Sequence, residues 1–371
     1  MPTENCVRVT GERAFFAASN SRDGFHSYYE PCFRARTARL FCVKGGPGTG
    51  KTTLMRRVAE AALRQGYTAE YWYCSSDADS LDGVLLFGRA PEDSFGLIDA
   101  TAPHTFEPTL PGVREEILDL GAFWDAAQLR AHTEEILHLN AQKAEGYRRA
   151  YRYLAAAGEM ADEMRERVAP CVDMPRLCRL AQRLLRGMES EPDATTRYGL
   201  MDSIGMRGRV RLGTFLRERR VCLIEDSYDS AYFLTAELCR LAKERGIGRV
   251  VSCHPVVPDR VDGLLLPGNH TAFVVCEATA RSRCEAALYA GAAHRVLPMR
   301  RFLRREALLP LRETLRQTAK LRESLMEGAE NAFRDVAEAH FALEKIYTAA
   351  MNFPAEQAFA EQLCERLLAP H

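Results

Sequence analysis

The chain has 371 residues, 47% apolar and 27% charged, with Lys+Arg and Asp+Glu both at 50. That length and composition suit a globular protein of about two domains and exclude a disordered chain. The even charge balance lacks the basic excess of a dedicated nucleic-acid binder, so nucleic acid is not an expected partner.

No run of roughly 18 apolar residues offers a membrane span, and Met1-Pro2-Thr3-Glu4-Asn5 has neither the basic start nor the apolar stretch of a signal peptide; a cytoplasmic location and no membrane partner are expected. The 12 cysteines agree with this. None are spaced Cys-x-x-Cys, and Cys42, Cys222 and Cys276 sit inside apolar runs, as small core residues do in a reducing compartment.

In chain order, Ala14–Ala17 reads as a short strand and Leu40–Val43 as a buried one. The latter runs into Gly45-Gly46-Pro47-Gly48-Thr49-Gly50-Lys51-Thr52-Thr53, and Leu54–Leu63 then reads as an amphipathic helix. Strand, glycine-rich loop and helix in this order and spacing form a triphosphate cradle (Walker A). The glycines let backbone N–H groups converge on the phosphates, the helix N-terminus adds its dipole, Lys51 reaches the β and γ oxygens and the Thr52 hydroxyl ligates Mg²⁺. All nine residues from Gly45 to Thr53 are therefore candidate nucleotide ligands.

The next strands are Glu70–Cys74 and Phe95–Asp99. Phosphoryl chemistry needs a carboxylate in the Mg²⁺ shell, at the end of a strand beside the loop. Asp99 fits, so Thr52 and Asp99 are the candidate metal residues and Lys51, Asp99 and Asp77 the candidate catalytic ones. A plainer reading has Asp99 capping the Thr101-Ala102-Pro103 turn. Asp77 and Asp79 follow the second strand, positioned for water or metal, or simply for Asx-type turn chemistry. His104 is a candidate γ-phosphate contact or a structural histidine. Arg148, Arg149, Arg152 and Arg281 are candidate arginine fingers or solvated charges. A guanine-specific Asn-Lys-x-Asp box is absent, which favours ATP.

Sliding the sequence against itself by about 180 residues brings its landmarks into register. Tyr147, Ala150, Leu154, Ala157, Ala161, Met164 and Val168 form an apolar stripe at 3-4 spacing, and Ala329, Ala332, Val336, Ala339, Leu343, Ile346 and Ala350 repeat it. Both striped helices end at a capping residue and a proline, Asp173-Met174-Pro175 and Asn352-Phe353-Pro354, which open a shorter helix. Asp82-Gly83-Val84-Leu85-Leu86 aligns with Asp262-Gly263-Leu264-Leu265-Leu266, and Ile98–Ala102 with Cys276–Ala280, so Glu277 stands for Asp99. In the second copy the strand Val221–Ile224 meets Glu225-Asp226-Ser227-Tyr228-Asp229-Ser230-Ala231-Tyr232, which has no glycine, no phosphate lysine and three acids. It reads as a pseudo-site.

The expected fold is therefore α/β, with tandem duplicated P-loop NTPase-like lobes, each a mainly parallel sheet with flanking helices and each followed by a long helical hairpin. The boundaries fall at 1–130 for the first lobe, 131–190 for its helices, 191–304 for the degenerate lobe and 305–371 for the last helices. A helix from His132 to Val168 spans roughly 55 Å, long enough to project or to pair with its counterpart across a pseudo-twofold axis.

Gly45–Thr53, Cys74-Ser75-Ser76-Asp77 with Asp82-Gly83, Ile98-Asp99-Ala100-Thr101-Ala102-Pro103-His104 and Leu120-Gly121-Ala122-Phe123-Trp124-Asp125 together resemble a bacterial family of two-repeat P-loop ATPases of unassigned biological role. The resemblance spans nearly the whole chain, specific in the first copy and loose in the second. It implies ATP binding and supports placing Asp99, Asp77 and His104 near the site. The family's second repeat commonly carries a glycine-rich loop too, so Glu225–Tyr232 departs from it.

The expected activity is Mg-dependent ATP hydrolysis in the first lobe, passed to an unidentified protein partner through the lobes and helices. The alternatives are a small-molecule kinase with a hydroxyl acceptor and a nucleotide-gated binding module with little turnover.

Overall fold

The computed structural model describes residues 6–8, 13–34, 36–104, 106–192, 194–276 and 294–369. The expected Glu277, Ala278, Thr279, Ala280 and Arg281 lie outside the described residues.

The first lobe follows a short leading strand, β1 (Cys6–Arg8), and runs β2 (Arg13–Phe16), the hairpin β3 (Ala18–Ser21) and β4 (Gly24–Ser27), α1 (Tyr29–Phe33), β5 (Arg39–Lys44), α2 (Lys51–Arg64), β6 (Thr68–Tyr73), β7 (Leu81–Phe87), β8 (Phe95–Asp99) and β9 (Glu115–Asp119). After α3 (Ala126–Ala131), the long α4 (Thr133–Val168) and the short α5 (Met174–Leu184) lead to the second lobe. There β10 (Thr196–Tyr198), the hairpin β11 (Asp202–Gly205) and β12 (Gly208–Leu212), β13 (Arg220–Glu225), α6 (Ala231–Glu244), β14 (Arg249–Cys253), β15 (Val261–Leu266), β16 (Thr271–Cys276) and β17 (His294–Pro298) repeat the order. The chain ends with α7 (Arg305–Leu308), the long α8 (Arg312–Ala349) and α9 (Phe353–Leu368).

Both lobes carry a six-stranded sheet of one topology, β2-β6-β7-β8-β5-β9 in the first and β10-β14-β15-β16-β13-β17 in the second. Each sheet is parallel except for its third strand, β7 or β15, which runs against both neighbours. The repetition extends to defects. The β6/β7 ladder shifts register between Trp72 and Tyr73, and the β14/β15 ladder between Ser252 and Cys253. Chains duplicated in sequence have kept the same bulge.

The sheets adjoin at their edges, where Phe16 and Leu200 exchange backbone hydrogen bonds of 2.8 and 3.0 Å. One apolar core runs through both lobes, with Phe15, Phe16, Phe33, Phe41 and Trp72 buried on one side and Phe215 and Phe273 on the other. Burial on both faces explains why the central strands read as continuous apolar runs rather than alternating ones.

The two apolar stripes meet each other. α4, of 36 residues, and α8, of 38, pack antiparallel, with Tyr147 against Phe333, Gly146 against Val336 and Gly328 against Tyr153. The appendages expected as hairpins are thus single long helices, each paired with its counterpart from the other copy. Their shorter companions cross over too. Asp173 caps α5, which packs on α6 of the second lobe, while Asn352 caps α9, which packs on α2 of the first. Among the described residues no helix is long and apolar enough to cross a membrane.

Candidate functional site

β5 ends at Lys44, and the glycine-rich loop carries the chain to α2. Gly48 and Gly50 hold φ of +70° and +83°, the left-handed region that glycine enters without strain. At Gly45 the packing leaves no room for a side chain, since a Cβ there would lie 2.7 Å from the Thr49 hydroxyl. Gly50 is the N-cap of α2 and offers no side-chain acceptor, so the N–H groups of the first turn stay free for an anion.

Lys51 lies over this loop. Its ammonium donates to the carbonyls of Gly45 at 2.6 Å and Gly46 at 2.8 Å and stands 3.5 Å from Asp99 Oδ2. The loop therefore fixes the cation in place. Asp99 ends β8, whose parallel ladder with β5 sets Val43 beside it. Asp99 does cap the turn that follows, its other oxygen accepting from the Thr101 amide at 2.8 Å. The Thr52 hydroxyl accepts from the Leu81 amide at 3.0 Å, which leaves it a second lone pair and its proton.

The outer side of the loop is covered by the other copy's helices. The Thr348 hydroxyl of α8 donates to the Gly48 carbonyl at 3.5 Å, Trp124 packs on Gly46 beside Tyr347, and buried Glu356 of α9 faces Gly50. Asp77 is bound across the lobes, its Oδ1 accepting from Arg207 Nε at 2.8 Å and its Oδ2 from Ser80 Oγ at 2.8 Å; Asp79 lies 2.9 Å from the same Arg207. Arg207 comes from the β11–β12 turn and stacks on Phe341 of α8. Burial and then the Asp77 charge raise the Glu344 pKa, and burial and then Lys143 push His340 down to about 4. The loop is thus ringed by groups of both signs from the second copy.

The other candidates fall elsewhere. His104 is buried, stacks on Tyr29 with ring centroids 4.8 Å apart and points at Asp82. Arg148 pairs with Glu145, Arg149 with Asp335, and Arg152 is exposed, so the α4 arginines line a solvated face. Arg207, His340, Glu344 and Thr348 were not among the sequence candidates. Their only signal was the repeat itself, which returns the end of the second long helix to the first lobe once the two helices pair antiparallel.

In the second lobe the corresponding loop is closed by its own acid. Asp226 accepts from the Ala231 amide at 2.8 Å, at the start of α6, and from the Asp229 amide at 3.1 Å. A carboxylate thus sits where the first lobe leaves donors free. Tyr228 and Asp229 take φ of +57° and +65° without glycine, and buried Asp229 is tied to Arg260, itself 2.7 Å from Asp262.

Two similar α/β lobes with mainly parallel sheets, each followed by a long helix, define the class. A family model described as Nephrocystin 3, N-terminal matches residues 26–85, which include β5, the glycine-rich loop, α2 and β6. No match was found among curated proteins or among solved structures.

Proposed function

We propose that the first lobe, a P-loop NTPase lobe, binds Mg·ATP at Gly45–Thr53 and hydrolyses it, and that the second lobe is a nucleotide-free partner reading the state of the first, in a cytoplasmic two-repeat ATPase. The observation that carries this reading is Lys51, held by two loop carbonyls opposite Asp99 above an uncapped helix N-terminus.

The cradle suits a polyphosphate because Gly45 tolerates no Cβ and the first-turn amides of α2 lack a side-chain acceptor. Those amides and Lys51 would hold the β and γ oxygens, with two of the three ammonium protons already anchored. Thr52 and Asp99 are the residues that would hold Mg²⁺, which when bound spreads the charge that develops on the phosphates. Asp77, engaged by Arg207 and Ser80, is assigned to positioning the lobes. Asp226 excludes triphosphate from the second lobe by occupying the helix N-terminus with its own charge.

Steady-state phosphate release tests this. Lys51→Ala should lower it by roughly two to three orders of magnitude, as loss of a preorganised charge clamp does, and unchanged release would refute the proposal. ADP that forms only when a hydroxyl acceptor is added would instead identify a kinase.

A further inference from the structure

We propose that Cys74, Asp82 and His104 form a binding site for one divalent transition-metal ion of the zinc class, separate from the nucleotide loop. The three residues come from the end of β6, the start of β7 and the turn after β8, and their donor atoms all lie within 4.8 Å of one another. A triangle of that edge places each corner about 2.8 Å from its centre, against metal–ligand distances of roughly 2.0–2.3 Å. A contraction of about half an ångström, within the reach of side-chain rotation, closes the site.

Two of the donors are buried atoms without a hydrogen-bond partner, and the Cys74 thiol faces the Asp82 carboxylate beside them. Asp82 is 2% exposed and its Oδ2 has no hydrogen-bond partner; His104 is 6% exposed and its Nδ1 has none. The nearest approach between them is 3.5 Å from Asp82 Oδ2 to His104 Nε2, and the Tyr29 hydroxyl faces the same carboxylate. A buried carboxylate left in this condition is costly.

The second lobe shows what compensation looks like. Cys74 donates its amide to the Ser80 carbonyl at 3.0 Å, and His254 donates to the Arg260 carbonyl at 2.8 Å, so Cys74 corresponds to His254 and Ser80 to Arg260. The shared bulge then sets Asp82 against Asp262. In the second lobe the guanidinium of Arg260 neutralises Asp262 at 2.7 Å. In the first lobe serine stands in its place, its hydroxyl turned to Asp77, and Asp82 has no guanidinium. A bound cation supplies the missing charge. Thiolate and carboxylate together balance a dication, with a neutral imidazole as third ligand and the Tyr29 side completing the shell. This mixture of sulfur, nitrogen and oxygen selects zinc or cobalt over magnesium or calcium, which take oxygen alone. Asp99 lies five residues before His104 on the same connection, so the ion would brace the segment that presents it.

The full chain, as purified, is assayed for metal by mass spectrometry, then stripped with chelator and titrated with Co²⁺. About one equivalent of metal and a thiolate-to-cobalt charge-transfer band are expected. Cys74→Ser should lose the band. Ser80→Arg installs the guanidinium of the second lobe, and should keep the fold and weaken Co²⁺ binding by about a hundredfold or more. Should that variant fail to fold, Asp82→Asn serves: its metal-free form should melt higher than the metal-free wild type and lose the rise in Tm on adding Zn²⁺. Sub-stoichiometric metal with no thiolate band in the wild type, or a Zn²⁺ response that Asp82→Asn leaves intact, would overturn the site and leave a His104–Asp82 ion pair in its place.

Discussion

Replacing Gly48 by alanine tests whether the second copy's helix seats on the glycine-rich loop. The residue has φ +70°, and an added Cβ would run into the Thr348 hydroxyl and approach the Glu344 carbonyl oxygen to 2.8 Å. The hydroxyl can rotate away, but the carbonyl belongs to the α8 backbone and cannot. Left-handed backbone costs a non-glycine residue about 1–2 kcal/mol, and overpacking against a rigid element adds about 1–3 kcal/mol. Gly24→Ala supplies the control, because Gly24 has φ +101° with nothing within 4 Å of its Cβ. Measured as nucleotide-free thermal midpoints, Gly48→Ala should lose more than Gly24→Ala by an amount equivalent to about 1–3 kcal/mol. Adding Thr348→Ala should recover part of that loss and none in the Gly24→Ala background, a coupling that neighbours show and distant sites do not. Equal losses at the two glycines, or strict additivity with Thr348→Ala, would mean that α8 does not dock on the loop.

Arg260→Ala should destabilise the second lobe by about 3–5 kcal/mol, because it strands buried Asp229 and Asp262. Burial already raises the Asp229 pKa and Arg260 is the main force holding it down, so the variant's folded state takes up protons more readily than its unfolded state. Its stability should therefore rise as pH falls from neutrality toward 5, read by denaturant unfolding at each pH. His340 works with the opposite sign. Lowered to about 4 by burial and by Lys143, Lys51 and Arg207 against the pull of Asp77, it binds its proton later when folded than the ordinary value of 6.5. Its contribution is complete above about pH 6.5 and is lost as pH falls toward 4, by at most about 1.4 kcal/mol per pH unit. His340→Gln should flatten that component of the stability curve. Asp99→Asn should leave thermal stability within about 1 kcal/mol of wild type, since Thr101 keeps an acceptor, yet lower Mg-dependent phosphate release by about a hundredfold.

Strand, glycine-rich loop and helix were legible at Leu40–Leu63 because loop chemistry and apolar periodicity speak from neighbouring residues. The duplication was legible because two stripes and two caps recur at closely similar shifts, near 180 residues. β7 was seen only as a landmark, since Asp82 and Gly83 at its bulge interrupt the apolar signal. The edge strand β9 hides behind Glu115, Glu116 and Asp119, and the hairpin β3–β4 behind Ser19, Asn20 and Ser21, small residues buried by tertiary contact rather than by their own hydrophobicity. The helix pairing was legible only as an option. An apolar stripe states that a face is covered, not by which helix, and the ring of second-copy residues around Gly45–Thr53 depends wholly on that choice.

On the proposed reading the crossed helices make the two loops unequal ends of one lever. α8 brings Thr348 to Gly48, and at the equivalent place α4 brings Arg165 over the ring of Tyr232, 4.8 Å from its centroid, beside the second lobe's loop. The second contact rests on a loop locked by Asp226, Asp229 and Arg260, with Arg322 of α8 a further 3.6 Å from Asp229. The first rests on a loop whose α2 amides carry no side-chain cap, and on the proposed reading that loop rearranges around an anion while Lys51 stays anchored. Packed helices transmit such a rearrangement as rigid bodies, because their interface is close-packed and repacks in steps rather than by stretching. On the proposed reading the second lobe is therefore the fulcrum, and it serves as one because its cradle was filled.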